Sequence, residues 1–208
     1  RILGGFLVKG RISRMFKARE LRLQRDLNEH SKFSHLGRKR ILVAGSSGLI
    51  GTQLVAFLDT GGHDVWRLVR REAEEGSKEL SWYPDKGILN PNDIEGFDVI
   101  IHLGGAGIGD KRWNNKRKKL IIDSRKHSTT LLSDTMSKLE KKPEAFIVAS
   151  AIGYYGNRDD EELTEDSPPG DGFLTETVIQ WESYADSARD AGIRVVNTRN
   201  GIVLSAAG

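Results

Sequence analysis

A glycine-rich turn early in the chain has the residue types and spacing needed to bind a phosphate group. Gly45, Gly48 and Gly51 are spaced as G-x-x-G-x-x-G; they follow the apolar run 41–44 and lead into the amphipathic segment 49–58. In such a strand–turn–helix unit, the glycines let the backbone approach a pyrophosphate, and the free amides at the helix start face its oxygens. The alternative is a tight turn in some other doubly wound protein. The pattern favours a dinucleotide site with contacts from Gly45, Ser46, Ser47, Gly48, Leu49, Ile50 and Gly51.

Two arginines stand where the second predicted strand, residues 64–69, reaches its carboxyl end. A chain that binds NAD often has an acidic residue here for the ribose 2′-hydroxyl, whereas a guanidinium suits the 2′-phosphate of NADP. Arg70, next to Val69, therefore favours NADP over NAD. The alternative is that Arg70 and Arg71 are ordinary surface charges, which the neighbouring Glu72 supports.

Hydroxyl groups follow a later predicted strand, residues 145–149. Ser150 comes directly after it, and Tyr154 and Tyr155 lie a few residues further on. Hydroxyls at such a strand end can polarise a carbonyl or relay a proton, so these three are the candidate catalytic residues. Tyrosines that merely pack in the interior are the alternative.

Small residues follow the strand predicted at 98–103. Leu103, Gly104 and Gly105 would let the backbone lie against the ribose and adenine side of a cofactor, although a simple strand-ending turn has the same composition. No group of His, Asp and Glu has metal-ligand spacing, so no metal site is expected. The chain has no cysteine, which excludes disulfides, zinc–thiolate sites and cysteine nucleophiles and suits the cytoplasm.

The elements that must position these groups alternate between strand and helix from Arg40 onward. Nearly continuous apolar strands that alternate with helices are typical of a parallel sheet covered on both faces. We expect an α/β fold with a doubly wound parallel sheet of the Rossmann type, whose ligands bind beyond the carboxyl ends of the strands. The predicted strands are 40–45, 64–69, 98–103, 145–149 and 194–198, and the predicted helices are 49–60, 114–139 and 173–190.

Charge divides the chain into two parts. Residues 1–40 carry 12 of the 32 Lys and Arg but only 3 of the 29 Asp and Glu. We expect residues 1–38 to be a basic helical leader or the tail of an upstream domain, with a helix from Ser13 to His30. Residues 39–208 are expected to form a dinucleotide-binding domain that is incomplete at its C-terminus, since the chain stops soon after the last predicted strand.

The basic segment could contact nucleic acid or an anionic membrane, but a solvated helix or a connector between domains is the favoured interpretation. It contains few aromatic residues, so no nucleic-acid partner is expected. No apolar run in the chain approaches the roughly 20 residues that a membrane span requires.

Together these residues resemble the extended short-chain dehydrogenase/reductase superfamily. More closely they resemble its atypical NAD-dependent epimerase branch, the SulA-related proteins that are similar to nucleoside-diphosphate-sugar epimerases. The specific segments are Gly-Tyr-Tyr-Gly (153–156) and Glu-Asp-Ser-Pro-Pro-Gly (165–170), whereas the glycine loop is generic. The collinear matching segments are 45–51, 112–114, 123–125, 150–156, 164–170, 181–182 and 199–204.

The resemblance implies cofactor contacts at the glycine loop, Val69, Arg70, Gly104, Gly105 and Arg125. It also implies a small C-terminal substrate region, which we expect to be truncated in this chain. In some bacterial relatives a START-like lipid-binding domain precedes the nucleotide fold, and residues 1–38 resemble the end of such a domain.

The sequence departs from the superfamily at its Tyr-x-x-x-Lys signature. Alignment on Glu182 places Leu174 at the tyrosine position and Val178 at the lysine position. Two interpretations follow from the resemblance. The first is an NADP-binding epimerase or reductase that acts on a nucleotide sugar or a small carbonyl compound. The alternative is a catalytically impaired module that binds the cofactor as a sensor or an interaction partner.

Overall fold

Six strands form one sheet in the computed structural model, which describes residues 2–205 and the side chains from residue 8 onward. Their order across the sheet is β3-β2-β1-β4-β5-β6, and every pairing is parallel. This confirms the doubly wound α/β fold, and its strand order reverses direction between β1 and β4. The strands are β1 (Arg40–Ala44), β2 (Asp64–Val69), β3 (Glu79–Ser81), β4 (Val99–His102), β5 (Ala145–Ala151) and β6 (Arg194–Asn200).

Helices cover both faces of this sheet. Alternate residues of β1 enter two cores: Leu42 packs in the core that includes Leu132 and Trp181, and Val43 packs against Leu54 of the opposite layer. Both faces are therefore apolar, as in other parallel sheets. The helices are α1 (Ile2–Phe33), α2 (Leu49–Thr60), α3 (Pro91–Ile94), α4 (Asn115–Ser137), α5 (Phe173–Ser183) and α6 (Asp186–Asp190), with 3-10 helices at Ser34–Leu36, Pro84–Lys86 and Ile152–Tyr155.

The strand register brings the predicted site segments to one edge of the sheet. Ala44 pairs with Leu68 and with His102, and His102 pairs with Val148. The segments that leave β1, β2 and β4 therefore emerge at nearly the same level, beside the reversal of strand order where such sheets bind ligands, whereas β5 continues three residues further, to Ala151.

The structure corrects the prediction of one helix over 173–190, because this segment forms α5 and α6. The amide of Ala188 donates to Ser133 Oγ of α4 at 2.8 Å, and Ser187 Oγ donates to Asp134 Oδ1 at 2.6 Å. These tertiary hydrogen bonds anchor α6 on α4 and replace the continuation of α5. Two further elements, β3 and α3, lie where only a loop was predicted.

The basic helix α1 is longer than the predicted 13–30, and of its side chains from residue 8 onward, those near its end pack on the domain. His30 stacks on Phe57 of α2 with ring centroids 4.2 Å apart, and a Cβ on Gly61 would lie 2.5 Å from its ring. Along the helix, Met15, Phe16 and other apolar side chains are exposed. Residue 1 and residues 206–208, the outer ends of the two expected domains, lie outside the described residues. None of the described helices has the length and apolar character needed to cross a membrane.

Candidate functional site

The turn between β1 and α2 has the shape of a phosphate cradle. Gly45 has a φ of +82°, and a Cβ on it would lie 2.8 Å from the backbone nitrogen of Gly104. A Cβ on Gly51 would overlap the Gly45 carbonyl oxygen and lie 2.7 Å from Ser46 Cα. Gly48, which caps α2, is exposed. The turn thus fits a pyrophosphate that approaches the backbone at Gly48 and the first amides of α2.

The other predicted residues of the turn, including the half-buried Ser46, are at least partly exposed. Ser47 and Leu49 are exposed, and Ile50 is half-buried. The turn is closed by the Gly48 amide, which donates to the Gly45 carbonyl at 3.1 Å. These residues are therefore available to a ligand through both backbone and side chain.

The two arginines after β2 have different surroundings. Arg71 donates to both carboxylate oxygens of Glu79 on β3, each at 2.9 Å. Arg70, one residue beyond Val69, is exposed and has no hydrogen bond or ion pair with the other described residues. Arg71 thus serves the pairing of β2 with β3, and Arg70 is the arginine whose charge is available to a ligand.

A buried histidine supports the segment that leaves β4. His102 is fully buried; its Nδ1 accepts from the Gly104 amide at 3.4 Å, and its Nε2 lies 2.9 Å from Ser128 Oγ. These partners assign the ring hydrogen to Nε2, because Nδ1 acts as the acceptor. Burial, reinforced by the charge of Arg125, lowers the pKa of His102 to about 3. The ring is therefore a neutral support beneath Gly104.

Consecutive residues of α4 hold the next part of this segment. The Ala106 amide donates to Ser124 Oγ at 3.0 Å, and Arg125 Nη1 donates to the Ala106 carbonyl at 3.1 Å. A Cβ on Gly105 would lie 3.2 Å from Arg125 Cζ. Leu103 comes before the residues held by Ser124 and Arg125, and it is half-buried between the two cores. Leu103, Gly104, Gly105 and Arg125 are thus brought together beside the glycine turn.

Arg125 is a buried cation without a carboxylate partner among the described residues. It is 6% exposed, and its guanidinium lies 4.5 Å from the centre of the Trp181 ring. Burial, and to a smaller extent the charge of Arg117, lowers the pKa of Arg125 to about 10, so it remains charged at neutral pH. A buried charge is costly unless it is paired, so this position fits an anionic ligand.

The Ser150 hydroxyl is already hydrogen-bonded to a carboxylate that forms an ion pair. Its hydroxyl donates to Glu182 Oε1 at 2.6 Å, and the side chain is buried. Arg199 of β6 donates to the same carboxylate through Nε at 2.9 Å and through Nη2 at 3.0 Å. This bidentate pairing raises the pKa of Arg199 above its ordinary value. Ser150 therefore anchors Glu182 rather than offering a free hydroxyl at the sheet edge.

The same arginine holds both tyrosines. Arg199 Nη1 donates to the Tyr155 hydroxyl at 2.9 Å, and its guanidinium lies 3.5 Å from the centre of the Tyr154 ring. The two tyrosine rings meet edge to face, with centroids 5.2 Å apart. Ser150, Tyr154 and Tyr155, the three predicted catalytic residues, thus belong to one cluster built around the Glu182–Arg199 pair.

Leu174 and Val178 occupy the face of α5 that meets Gly153. A Cβ on Gly153 would lie 3.4 Å from Leu174 Cβ and 4.0 Å from Val178 Cγ2. Neither side chain can donate or accept a proton. The groups near this point that can exchange a proton include Tyr154 and Tyr155, which directly follow Gly153 in the chain.

The sequence prediction missed Glu182 and Arg199 as members of the site. They are 17 residues apart on α5 and β6 and become partners only through the fold. The available signal was their presence in the matching segments 181–182 and 199–204, which drew attention to the residues without indicating that they pair.

Comparisons with known proteins agree with this geometry. A model of the NAD dependent epimerase/dehydratase family matches residues 41–207. The epimerase family protein Mb2239 of Mycobacterium bovis is 40% identical over 168 residues, which make up 81% of this chain and 55% of that protein. The chain therefore spans about half the length of the curated relatives it matches.

Two solved structures are also similar. A nucleoside-diphosphate sugar epimerase from Corynebacterium glutamicum superposes with a TM-score of 0.82 at 36% identity, over 93% of this chain and 41% of that chain. The human epimerase family protein SDR39U1, solved with NADPH, superposes with a TM-score of 0.70 at 31% identity, over 81% of this chain and 56% of that chain. The first superposition covers more than residues 40–208 and so includes part of α1.

Proposed function

Since this chain belongs to the NAD dependent epimerase/dehydratase family, we propose that it binds NADP and acts as an epimerase or reductase on a nucleotide sugar or a small carbonyl compound. The glycine turn supports the dinucleotide part of this proposal, because its backbone has the shape that a pyrophosphate requires. When bound, the nicotinamide would supply or accept a hydride. The human relative solved with NADPH supports the choice of NADP.

The observation that carries the proposal is the contrast between Arg70 and Arg71. Arg71 is engaged by Glu79, whereas Arg70 is exposed and without a partner among the described residues at the carboxyl end of β2. A guanidinium at this place can bind the 2′-phosphate in a bidentate manner. We propose that Arg70 binds the 2′-phosphate and that Arg125 supplies a second positive charge beneath the loop after β4.

The test is a fluorescence titration with NADPH and NADH. Arg70→Ala should weaken NADPH binding about tenfold, which corresponds to about 1.4 kcal/mol, and leave NADH binding unchanged. Arg67→Ala is the matched control, because Arg67 is also exposed on β2 but lies roughly 10 Å from Arg70 along the strand. Equal affinity for the two cofactors in the unaltered protein would contradict the choice of NADP, and the absence of binding by either would contradict the dinucleotide site.

For the proton step we propose Tyr155, with Tyr154 and Ser150 in supporting positions. Tyr155 accepts a hydrogen bond from Arg199, so its own O–H proton is available for a substrate oxygen. The hydroxyl of Ser150 instead donates to Glu182. Tyr155 is thus the residue of the predicted trio that is best placed to exchange a proton with a ligand.

Leu174 and Val178 favour the second candidate, a cofactor-binding module without turnover. Their apolar side chains stand where the superfamily places its proton donor and its lysine. Consumption of NADPH with a panel of carbonyl compounds separates the two candidates. NADPH binding without consumption across the panel would favour the module, and consumption that Tyr155→Phe abolishes would favour the enzyme.

A further inference from the structure

A cavity of about 340 Å³ lies between α4 and the 3-10 helix Pro84–Lys86. Residues between 84 and 87 form one wall, and residues between 126 and 134 of α4 form the other. The volume is in the range of small-molecule sites. None of the residues expected to bind the cofactor or to take part in catalysis lines this cavity, so it requires a separate explanation.

The α4 wall carries three polar groups in a row. Lys126, Thr130 and Asp134 follow one another at intervals of four residues, and all three line the cavity. Residues four apart lie on the same face of a helix, and each interval advances about 6 Å along its axis. The wall therefore presents a cation, a hydroxyl and a carboxylate in sequence, with about 12 Å along the axis between the two ends.

Both charged ends of this row lack a partner of opposite charge. Lys126 is exposed and forms no hydrogen bond or ion pair within the part of the chain that the structure describes. Asp134 is half-buried, and its Oδ1 accepts from Ser187 at 2.6 Å, but no cation among residues 8–205 pairs with it. A partly buried carboxylate is costly without a positive partner, so an ammonium group of a ligand would stabilise it.

The hydroxyl in the middle of the row is also available. On the same helix, Thr135 donates to the Leu131 carbonyl at 2.7 Å, as helical threonines commonly do. Thr130 is half-buried, and its hydroxyl makes no hydrogen bond with the other described residues. Because a hydroxyl can both donate and accept, an amide group of a ligand would suit it.

The remaining surface of the cavity is tied together and partly apolar. His127 Nδ1 lies 3.5 Å from Asp85 Oδ1, a contact that joins the two walls. Leu131 and the buried Pro84 add apolar surface. A ligand with a single charge would leave one end of the row without a partner, so a ligand with opposite charges at its two ends fits best.

We propose that this cavity binds a short zwitterionic ligand of the tripeptide class, extended along α4. Its carboxylate contacts Lys126, its central amide hydrogen-bonds with Thr130, and its ammonium contacts Asp134. An extended tripeptide places its charged ends about 10 Å apart, which is comparable to the spacing of the row. This binding site goes beyond the proposed function, because it shares no residue with the cofactor contacts or the tyrosine cluster.

The test is isothermal titration calorimetry of the whole chain with trialanine and three related compounds. Trialanine should bind with a Kd below about 1 mM. N-acetyl-trialanine lacks the ammonium and trialanine amide lacks the carboxylate, so each should bind about fivefold more weakly, the scale of one charged contact at a partly exposed site. The compound ω-aminooctanoate has a similar length but no amide, and it should bind about threefold more weakly.

Three variants assign these differences to the row. Lys126→Ala should remove the difference between trialanine and its amide, and Asp134→Asn should remove that between trialanine and its acetylated form. Asparagine retains an acceptor for Ser187, so the contact with α6 is kept. Thr130→Val should remove the advantage over ω-aminooctanoate. Lys116→Ala is the matched control, because Lys116 is an exposed lysine of α4 that lies about 15 Å from Lys126 along the helix.

Several results would overturn the proposal. No binding of trialanine at concentrations up to about 10 mM would exclude the site. Equal affinity for trialanine, its acetylated form and its amide would show that the charged ends are not recognised, and this comparison needs no variant. An equal loss of trialanine binding in Lys116→Ala and Lys126→Ala would assign the effect to the overall charge of α4. Thermal unfolding of each variant shows that its fold is retained.

Discussion

At the scale of single residues, a half-buried arginine and a fully buried histidine have opposite roles. Arg199 is surrounded by acceptors and by the Tyr154 ring, so its charge is stabilised and the cluster around it is held in one arrangement. His102 has only neutral partners, and burial keeps it uncharged beneath the loop after β4. The first residue organises the proposed chemistry, and the second supports the backbone that the cofactor would contact.

The neutral state of His102 predicts a specific pH dependence of stability. Its pKa is about 3 in the folded protein against 6.5 for an ordinary histidine. Below pH 6.5 the unfolded chain binds a proton that the folded protein excludes, so stability is complete above this pH and falls as the pH falls towards 3. Between pH 7 and pH 5 the loss due to His102 should be about 2 kcal/mol.

Urea unfolding of the protein and of His102→Gln measures this loss. A glutamine can accept from Gly104 and donate to Ser128 without titrating, so the variant should lose about 2 kcal/mol less between pH 7 and pH 5. Parallel curves of stability against pH for the two proteins would show that His102 takes up a proton in the folded state.

The pairing of Glu182 with Arg199 shows why part of the site was not predictable. Ser150, Tyr154 and Tyr155 were found because they lie at or just after the end of a recognisable strand. Glu182 and Arg199 lie on different elements, and nothing local in the sequence links a carboxylate on α5 to a guanidinium on β6. The cavity lined by Tyr155, Glu165 and Asn197 was not predictable for the same reason, since its walls come from three separate parts of the chain.

At the scale of elements, the strand–turn–helix unit from β1 to α2 was predictable because its signals are local. An apolar run, three spaced glycines and a helical apolar pattern follow one another without interruption, and α2 has the predicted bounds. β3 and the break between α5 and α6 were not predictable from the sequence, because both depend on contacts with residues that are distant in the chain. β3 has three residues and pairs with β2, and α6 is anchored through Ser133.

The glycines of this unit have separable roles, which two substitutions test. A Cβ on Gly51 would meet backbone atoms of Gly45 and Ser46, so Gly51→Ala should destabilise the fold by about 2–3 kcal/mol. A Cβ on Gly48 would lie 3.4 Å from the Gly45 carbonyl oxygen, an ordinary contact, and Gly48 has a φ of −76° that alanine adopts. Gly48→Ala should therefore cost less than about 1 kcal/mol.

NADPH titration completes this comparison. Gly48→Ala should weaken NADPH binding at least about tenfold at nearly unchanged stability, because the new methyl group occupies the space in which the pyrophosphate approaches the backbone. Thermal unfolding of both variants provides the stability measurement. If Gly48→Ala binds NADPH as well as the unaltered protein does, the cofactor does not approach this turn.

At the scale of the whole molecule, α1 is the element whose apolar side chains are least explained by the structure around them. The helix carries exposed apolar side chains at Val8, Ile12, Met15, Phe16, Leu21, Leu23 and Leu27, each between 45% and 59% exposed. A helix in water gains most of its stability from packing an apolar face. Among the side chains described, from residue 8 onward, such packing is found near His30, against Phe57 and Gly61. An upstream START-like domain, as the resemblance implies, is the partner we propose for the remainder.

Hydrogen exchange tests this arrangement in two proteins, the present chain and a longer version that includes the preceding residues. In the present chain, the amides of residues 8–25 should exchange rapidly and those near His30 slowly, because only the latter are tied to α2. In the longer protein, residues 8–25 should become protected.

Leu23→Ser should then cost about 2 kcal/mol in the longer protein and less than about 0.5 kcal/mol in the present chain, since the leucine is buried only where a partner covers it. Arg19→Ser is the control, because its side chain is exposed and charged. If protection of residues 8–25 is the same in both proteins, the apolar side chains of α1 have no upstream partner, and the helix is held by His30 alone.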